Sequence, residues 1–293
     1  MTRMSKRGAR TTGSGPGAKT LAALVLAVAL TLLILAQAAR AAPVPHIYWA
    51  NSVLSAIGEA KLDGTAVKQR FIAAHGPYGV AVSGSHIYWA NMDSNTIGRA
   101  NLNGTGVKEG FIKGANQPTG VAVDGSHIYW ANLGSNTIGR ADLSGTSVKQ
   151  RFIVANDPYG VAVDASHIYW ADLASRSIGK ANLGGTHVRQ HFITGANAPF
   201  GVAVDASHIY WANLGSNTIG EANVQGTGVK QRFITGAHEP TGMAVDAAHL
   251  YWANAHAIAK ARLNGTRIVQ RFVRTHEPYG VAVSQAGAAP SNR

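Results

Sequence analysis

Short apolar runs alternate with turn residues along almost the whole chain. The unit spanning residues 77–115 shows this pattern clearly. Its four runs are Gly79-Val-Ala-Val82, His86-Ile-Tyr-Trp89, Thr96-Ile-Gly-Arg-Ala100 and Val107-Lys-Glu-Gly-Phe-Ile112. Each run has the length of a strand and is rich in β-branched or aromatic residues, and the connectors contain Gly, Ser, Asp and Asn. No apolar period of about 3.6 residues is present, so helices are not predicted. Four strand-sized runs joined by short turns predict a four-stranded antiparallel meander.

The same unit recurs along the chain. Its marker, His46-Ile-Tyr-Trp-Ala-Asn51, returns every 40 or 41 residues, starting again at His86, His127, His167, His208 and His249. All six tryptophans lie in these copies and form a structural repeat signature: Trp49, Trp89, Trp130, Trp170, Trp211 and Trp252. Four strands per period, repeated six times, predict an all-β fold, a six-bladed β-propeller whose radial closure protects the sheet edges.

The two ends of the array are complementary. No Gly-Val-Ala-Val run precedes the first marker, whereas an extra one, Gly280-Val-Ala-Val283, follows the sixth unit. We predict that residues 280–284 complete blade one and close the ring. The propeller then spans residues 42–285 and is followed by a disordered tail at 286–293. Within each blade, the small-residue run suits the crowded innermost position, and the fourth strand lies at the rim.

Asn103-Gly104 predicts a two-residue hairpin turn between the third and fourth strands, because both residues accept the positive φ that such a turn requires. The same slot holds Asp63-Gly64, Ser144-Gly145, Gly184-Gly185, Gln225-Gly226 and Asn264-Gly265. Asn103 and Asn264 also begin Asn-Gly-Thr glycosylation sequons, but their place in a repeated turn makes turn chemistry the better explanation.

The first 41 residues have a different character. Residues 1–19 contain five basic residues and no acidic one, and residues 21–35 are almost wholly apolar before the small-residue stretch at 36–41. This layout predicts a cleaved secretory signal peptide; the alternative is an uncleaved signal anchor that crosses the membrane through residues 21–39. In both cases we expect the repeat body to be secreted or extracytoplasmic.

Charge and cysteine content narrow the range of partners. Removing residues 1–41 leaves 20 basic and 14 acidic residues, so the body carries +6 rather than +12. Much of this charge falls on fourth strands: Lys68, Arg70, Lys108, Lys149, Arg151, Arg189, Lys230, Arg232 and Arg271. We interpret it as edge protection; the alternative is a rim attracted to anionic cell-envelope polymer or lipid. A monomer that binds no nucleic acid is expected, and the absence of cysteine excludes disulfides and thiolate metal sites.

The strings HIYWAN and SNTIGRANLNGT resemble the YWTD repeat of low-density lipoprotein receptor class B propellers, within the TolB-like propeller superfamily. The resemblance covers about residues 44–285 and implies a six-bladed propeller; the chain looks like an exported bacterial member. Alanine replaces the family's Thr in every copy, and Asn replaces its Asp in all copies except the one with Asp172. In the family this acid is a structural hydrogen-bonding residue. Family partners bind through blade-specific surface residues, so the resemblance implies no particular ligand.

The repeated polar residues are interpreted as structural. The histidine that opens each marker occupies one equivalent slot per blade, so a turn role is favoured over a metal site. Asp124, Asp164, Asp205 and Asp246 end the innermost strand, a position in which a carboxylate caps a turn by accepting backbone hydrogen bonds. A catalytic carboxylate has no reason to recur four times.

Function is expected where the repeats differ, because equivalent positions mostly serve packing. The largest differences lie in the segments that cross from one blade to the next, and in the loop at residues 254–258, which is two residues shorter than its counterparts. We predict a polar ligand site over blades six, one and two, on the face that holds the channel mouth. Its candidate residues are His75, Tyr78, His238, Glu239, His256, His276, Glu277 and Tyr279.

The predicted function is a non-enzymatic binding or scaffold propeller of the cell envelope, with a protein or an anionic envelope polymer as partner. No catalytic residue and no cofactor is assigned, because the channel strands offer only Gly, Val, Ala and Met243. The alternative is a metal-dependent lactonase, hydrolase or lyase on a six-bladed propeller, for which a divalent metal would be required. A purely structural envelope protein is a third reading.

Overall fold

The computed structural model describes residues 44–284, and these residues form six four-stranded antiparallel sheets. Blade one contains β1 (His46–Asn51), β2 (Ala56–Lys61) and β3 (Lys68–Ala73). Blade two contains β4 (Pro77–Ser83), β5 (His86–Asn91), β6 (Thr96–Asn101) and β7 (Lys108–Lys113). Blade three contains β8 (Pro118–Val123), β9 (His127–Asn132), β10 (Thr137–Asp142) and β11 (Lys149–Val154).

The second half of the chain repeats this layout. Blade four contains β12 (Pro158–Val163), β13 (His167–Asp172), β14 (Ser177–Asn182) and β15 (Arg189–Thr194). Blade five contains β16 (Pro199–Val204), β17 (His208–Asn213), β18 (Thr218–Asn223) and β19 (Lys230–Thr235). Blade six contains β20 (Met243–Val245), β21 (His249–Asn254), β22 (Ala257–Arg262) and β23 (Val269–Arg274), and β24 (Pro278–Val283) returns to blade one. Two single 3-10 turns, Leu133–Ser135 and Leu214–Ser216, follow β9 and β17.

The predicted signal segment at residues 1–41 and the predicted tail at 286–293 lie outside the described residues. Within residues 44–284, no helix is long and apolar enough to span a membrane.

The ring closes as the sequence predicts. β24 pairs antiparallel with β1, with Ile47 opposite Val283 and Trp49 opposite Val281. Beyond the last pair, the His46 N–H donates to Ser284 Oγ and the Ser284 N–H donates to the His46 carbonyl, both at 2.8 Å. The sheet order of blade one is therefore β24-β1-β2-β3, so residues from the two ends of the described chain share one sheet.

The innermost strands approach each other so closely that only glycine fits at their point of contact. A Cβ added to Gly79 would collide with the Thr119 carbonyl oxygen and with the backbone of Gly120 in the next blade. The same collision recurs around the whole ring at Gly79, Gly120, Gly160, Gly201, Gly242 and Gly280. These six residues, the axial glycine ring, let backbones from neighbouring blades touch around the channel.

The core lies between the blades. Trp89 of blade two packs in one buried cluster with Tyr48 and Ile57 of blade one, and all three are at most 2 % exposed. The last interface follows the same rule, because Trp49 of blade one packs with Tyr251 of blade six. Ile and Trp on one face of a strand and Tyr on the other thus make both faces of each blade apolar, as neighbours on both sides require.

The predicted two-residue hairpin is wrong in its geometry. The turn in blade two runs from Asn101 to Gly104, whose N–H donates to the Asn101 carbonyl at 2.9 Å, and only Gly104 of the predicted pair has a positive φ. Asn103 keeps a negative φ because its Oδ1 accepts hydrogen bonds from the N–H and hydroxyl of Thr105. A second left-handed residue, Gly106, then returns the chain to β7.

The last residue of the repeat marker ties three parts of a blade together. In blade three, Asn132 Oδ1 accepts a hydrogen bond from the Asn116 N–H at 2.9 Å, and its Nδ2 donates to the Gln150 carbonyl at 2.8 Å. Asp172 fills this slot in blade four and is fully buried. Its carboxylate accepts from the N–H groups of Asn156 and Ser175, but an ionised carboxylate has no proton to donate to the fourth strand.

Asp172→Asn should therefore stabilise the propeller at neutral pH. Burial raises the pKa of Asp172, so the folded state binds the proton more tightly than the unfolded state. Stability then falls as pH rises from about 4 through the raised value, and the penalty persists at pH 7. We expect a gain of about 1 kcal/mol at pH 7 that shrinks near pH 4, measured by urea denaturation. Asn213→Asp is the matched reverse change and should lower the free energy of unfolding at pH 7. A lower free energy of unfolding for Asp172→Asn than for wild type at pH 7 would contradict this account.

Candidate functional site

The two faces of the propeller carry different connections. The segments that cross between blades lie beside the loops joining second and third strands; for example, the Leu133 N–H donates to the Gln117 carbonyl at 3.2 Å. We call this the crossing face. The turns between first and second strands and between third and fourth strands lie on the opposite side, the turn face. The candidate ligand residues predicted from the sequence all belong to the crossing face.

On the turn face, four aspartates hold the turns as predicted. Asp124 Oδ1 accepts hydrogen bonds from the N–H groups of Ser126 and His127, both at 2.6 Å, and Oδ2 accepts one from the Tyr129 hydroxyl at 2.9 Å. Burial, reinforced by that hydrogen bond, raises the pKa of Tyr129, so the phenol keeps the proton that it donates. The same arrangement recurs at Asp164, Asp205 and Asp246.

The marker histidines are distributed one to a blade. Nδ1 of His127 lies 3.7 Å from Asp124 Oδ1, and the corresponding distance is 3.4 Å for His167. Each of these imidazoles thus belongs to its own turn. Among residues 44–284, no group of three or more His, Cys, Asp or Glu side chains is placed to hold a metal ion.

The basic residues predicted for the rim lie on the outermost strands β3, β7, β11, β15, β19 and β23, each at the unpaired edge of its sheet. Lys68 is ion-paired with Glu59 at 2.9 Å and Lys230 with Glu221 at 3.4 Å. Because these lysines are well exposed, the pairs are screened by solvent and contribute little to stability.

The structure divides the predicted ligand site into separate parts. His238, Glu239 and His256 line one depression of about 420 Å³ in blade six, together with Arg271 and Gln270. The shortened loop is the cause, as the sequence suggested. His276 and Glu277 lie in the next crossing, where the Glu277 N–H donates to the Ala255 carbonyl at 3.1 Å.

His75 belongs to a different contact. Its Nδ1 lies 3.7 Å from Glu109 Oε2, and that carboxylate also accepts a hydrogen bond from Asn91 Nδ2 at 3.1 Å. The other five blades have Gln in the slot of Glu109, and each of those amides donates to a backbone carbonyl of the preceding blade: Gln69, Gln150, Gln190, Gln231 and Gln270. Sequence reasoning missed this exception, although Lys-Glu-Gly-Phe in place of Lys-Gln-Arg-Phe displays it.

Tyr78 and Tyr279 belong to an aromatic cluster at the channel mouth. Their rings are stacked, with centroids 4.3 Å apart, and the rings of Tyr159 and Phe200 lie 4.5 Å apart. Tyr78 of blade two also approaches Phe200 of blade five, its opposite in the ring, at 6.0 Å. These four residues, the mouth cluster, precede the axial glycines directly and meet across the axis, so they cover the channel on the crossing face.

In the other two blades, the residue directly before the axial glycine is a threonine. The Thr119 hydroxyl donates to the Tyr159 carbonyl at 2.9 Å, and the Thr241 hydroxyl donates to the Pro278 carbonyl at 3.1 Å. Both threonines are at most 9 % exposed, so they link neighbouring blades below the surface. The four aromatic rings, in contrast, are half-buried and keep part of their surface in solvent.

Three of the segments that cross between blades carry a carboxylate. Asp157, Glu239 and Glu277 lie two residues before Tyr159, Thr241 and Tyr279, respectively. Each of the three has a positive φ, between 41° and 58°. Burial raises the pKa of Asp157 and, with the neighbouring Asp157 charge, that of Tyr159. Burial also raises the pKa of Tyr78, assisted by the nearby phenols of Tyr279 and Tyr159. The mouth therefore presents the phenols of Tyr78 and Tyr159 in protonated form, with the Asp157 carboxyl beside Tyr159.

Sequence reasoning left Tyr159 and Phe200 out of the site. Both stand in the slot after the crossing proline, so the signal that selected Tyr78 and Tyr279 was available for them. Restricting the search to neighbouring blades hid it, because the rings meet across the axis. The sequence assigned Arg271 to the basic rim and not to the ligand site, yet it borders the blade-six depression.

Comparisons with known proteins agree with this architecture. The family described as "Low-density lipoprotein receptor repeat class B" matches residues 166–206. No curated protein matches the chain by sequence.

Solved structures similar to this chain come from proteins of different activity. A chain of the nidogen/laminin complex is 21% identical, with a TM-score of 0.70, and the similarity covers 82% of this chain and 98% of that one. Virginiamycin B lyase from Staphylococcus aureus is 20% identical, with a TM-score of 0.57 and coverage of 71% and 73%. A gluconolactonase from Xanthomonas campestris is 16% identical, with a TM-score of 0.62 and coverage of 82% and 88%.

At these identities the solved structures establish the fold alone, and the repeat match supplies the type of unit. Six copies of that unit close into one ring of six sheets. Residues 166–206 match the class B repeat of the low-density lipoprotein receptor, and residues 44–284 form a six-bladed β-propeller.

Proposed function

We propose that this chain is an exported, non-enzymatic binding propeller that holds a protein partner on the mouth of its crossing face. The mouth cluster is the observation that carries this proposal. Tyr78, Tyr159, Phe200 and Tyr279 gather aromatic surface at one point, with ring centroids 4.3 to 6.5 Å apart. Tyrosine and phenylalanine are enriched at the centres of protein interfaces, where large rigid side chains bury apolar area at low cost in conformational entropy.

The charges around the mouth indicate the kind of partner. Asp157, Glu239 and Glu277 lie in crossing segments, and the Asp157 charge acts on Tyr159 of the mouth cluster, whereas the basic side chains of the fourth strands lie at the perimeter. An apolar segment flanked by lysine or arginine would be complementary to this centre. An anionic envelope polymer, the other partner considered from the sequence, would meet the carboxylates at the mouth and is less well suited there.

Two further observations support the proposal. A propeller of this fold forms one chain of the nidogen/laminin complex, so the frame occurs within a protein assembly. The basic and apolar layout of residues 1–41 favours export. The lactonase and lyase propellers share only the fold, and in this chain aromatic rings cover the channel mouth, so binding is favoured over the enzymatic alternative.

Replacing Tyr78 and Tyr279 together by serine should weaken partner binding at least about tenfold, because the stacked pair would no longer be buried against the partner. The propeller would be immobilised, binding proteins from the host's envelope and medium would be identified, and the affinity of the purified partner would then be measured. Ser126→Ala with Ser207→Ala on the turn face is the matched control and should bind like wild type.

Unchanged affinity in the tyrosine variant, with an unchanged thermal midpoint, would show that the mouth cluster is not the interface. Hydrolysis of a lactone by the purified protein, lost in the same variant, would support the enzymatic alternative instead.

A further inference from the structure

The blade-six depression exists because its loop is short. Blade three connects its second and third strands with a 3-10 turn at Leu133–Ser135, and the Thr137 hydroxyl donates to the Gln150 carbonyl at 3.0 Å. Blade six has two residues fewer here and Ala257 in the slot of Thr137. Neither the turn nor the hydroxyl is present to fill the space, which leaves a depression of about 420 Å³.

The floor of the depression is built from amides that bond to each other and to the backbone. Asn254 Oδ1 accepts from the His238 N–H at 3.2 Å, and its Nδ2 donates to Gln270 Oε1 at 3.0 Å. Asn217 Oδ1 accepts from the Glu239 N–H at 2.9 Å. These bonds fix the backbone that carries His238 and Glu239, so the side chains above the floor project from a rigid base.

Four chemically active side chains surround this floor: Arg271, His238, His256 and Glu239. Over residues 44–284, none of the four takes part in a side-chain hydrogen bond or an ion pair. The imidazoles of the turn face differ, since His127 and His167 lie within 3.7 Å of a carboxylate. The depression therefore combines one permanent cation, one carboxylate and two imidazoles that have their hydrogen-bonding capacity available.

We infer that the blade-six depression binds a sugar acid, a single-ring saccharide unit that carries one carboxylate. The planar guanidinium of Arg271 suits a carboxylate through two parallel hydrogen bonds. Glu239 accepts hydrogen bonds from hydroxyl groups, and each imidazole can donate or accept one. The volume is within the range of small-ligand sites.

The same lining disfavours other ligands. A doubly charged phosphate would face Glu239, and an apolar side chain would find only Ala255 and Ala257. A small amino acid would match Arg271 and Glu239 in charge but would leave most of the 420 Å³ unfilled. This inference goes beyond the proposed function, because the mouth cluster contributes no residue to the depression.

The inference is tested by titrating the purified protein with D-glucuronate at pH 7 and low salt. Binding is detected by calorimetry or by ligand-observed NMR. Wild type should bind glucuronate, and Arg271→Gln should weaken binding at least about tenfold. Arg151→Gln is the matched control, because Arg151 holds the equivalent slot in blade three beside a full-length loop. A second variant, with residues 254–257 replaced by the 132–137 loop sequence, should also lose binding because the loop fills the depression.

Any of four results would overturn the inference. The first three are absence of glucuronate binding by wild type, equal binding of uncharged D-glucose, and tighter binding of L-alanine, which would indicate an amino-acid site. An equal loss of affinity in Arg271→Gln and Arg151→Gln would show only general attraction to the basic rim and would also overturn it. Partner binding at the mouth cluster is measured separately, so either proposal can fail while the other stands.

Discussion

Deletion of residues 278–293 is expected to abolish the cooperative folding of the propeller. The deletion removes β24, so β1 loses the strand that pairs with Ile47 and Trp49. Val281 and Ala282, 4% and 7% exposed, leave two inter-blade clusters at once. The axial ring also loses Gly280, and an apolar sheet edge is exposed. We expect a loss of more than about 4 kcal/mol, a large share of the stability of a typical domain.

Unfolding in urea is monitored by tryptophan fluorescence, because each of the six buried inter-blade clusters contains one tryptophan. A shorter deletion, of residues 285–293 only, is the control; it retains β24 and the Ser284 hydrogen bonds to His46 and should unfold like the full chain. A single cooperative transition at an unchanged midpoint in the longer deletion would show that β24 does not close the ring.

Gly160→Ala should destabilise the propeller by about 3 kcal/mol, because the added methyl group has no space to enter. The new Cβ would collide with the Phe200 carbonyl oxygen and lie 2.9 Å from Gly201 Cα and from Val202 N. All of these are backbone atoms of the next blade, which cannot move without shifting a strand that is itself fixed by two neighbours. The φ of Gly160 is not positive, so the cost comes from contact rather than from backbone strain.

Gly125→Ala is the control for this prediction. Nothing lies within 4 Å of a Cβ at Gly125, its φ is not positive, and Ala165 and Ala206 occupy the same turn position in blades four and five. Thermal and urea midpoints should match those of wild type. If Gly160→Ala were equally neutral, the axial glycines would not be close-packed.

Most of the fold could be predicted from the sequence because its determinants are local and repeated. An apolar run ended by turn residues specifies a strand. Because the unit occurs six times, a strand that is ambiguous in one copy can be assigned from the equivalent positions of the other five. The hairpin between the third and fourth strands was predicted incorrectly because an Asn-Gly pair fits more than one turn. The observed turn is stabilised by the Asn103 side chain, which accepts two hydrogen bonds from Thr105.

The candidate site was less predictable than the fold. The short loop at residues 254–258 was visible in the sequence, and it correctly marked the sector where a depression forms. The sequence grouped His75 with these residues, but the structure places it beside Glu109, on the outer strand of blade two. That separation could not be predicted, because it depends on a contact between segments more than 30 residues apart. Arg271 joins the depression through the packing of β23 beside the shortened loop, which no motif records.

The sequence by itself determined the six-bladed ring, the closing strand and the structural role of the repeated His, Asp and Trp residues. Those features follow from strand period, turn chemistry and copy number, which are properties of short segments. The tertiary structure decided that Tyr78, Tyr159, Phe200 and Tyr279 form one mouth cluster. Rings from opposite blades can meet only when the axial glycines bring all six inner strands close to the axis, and that distance is set by the packing of the whole ring.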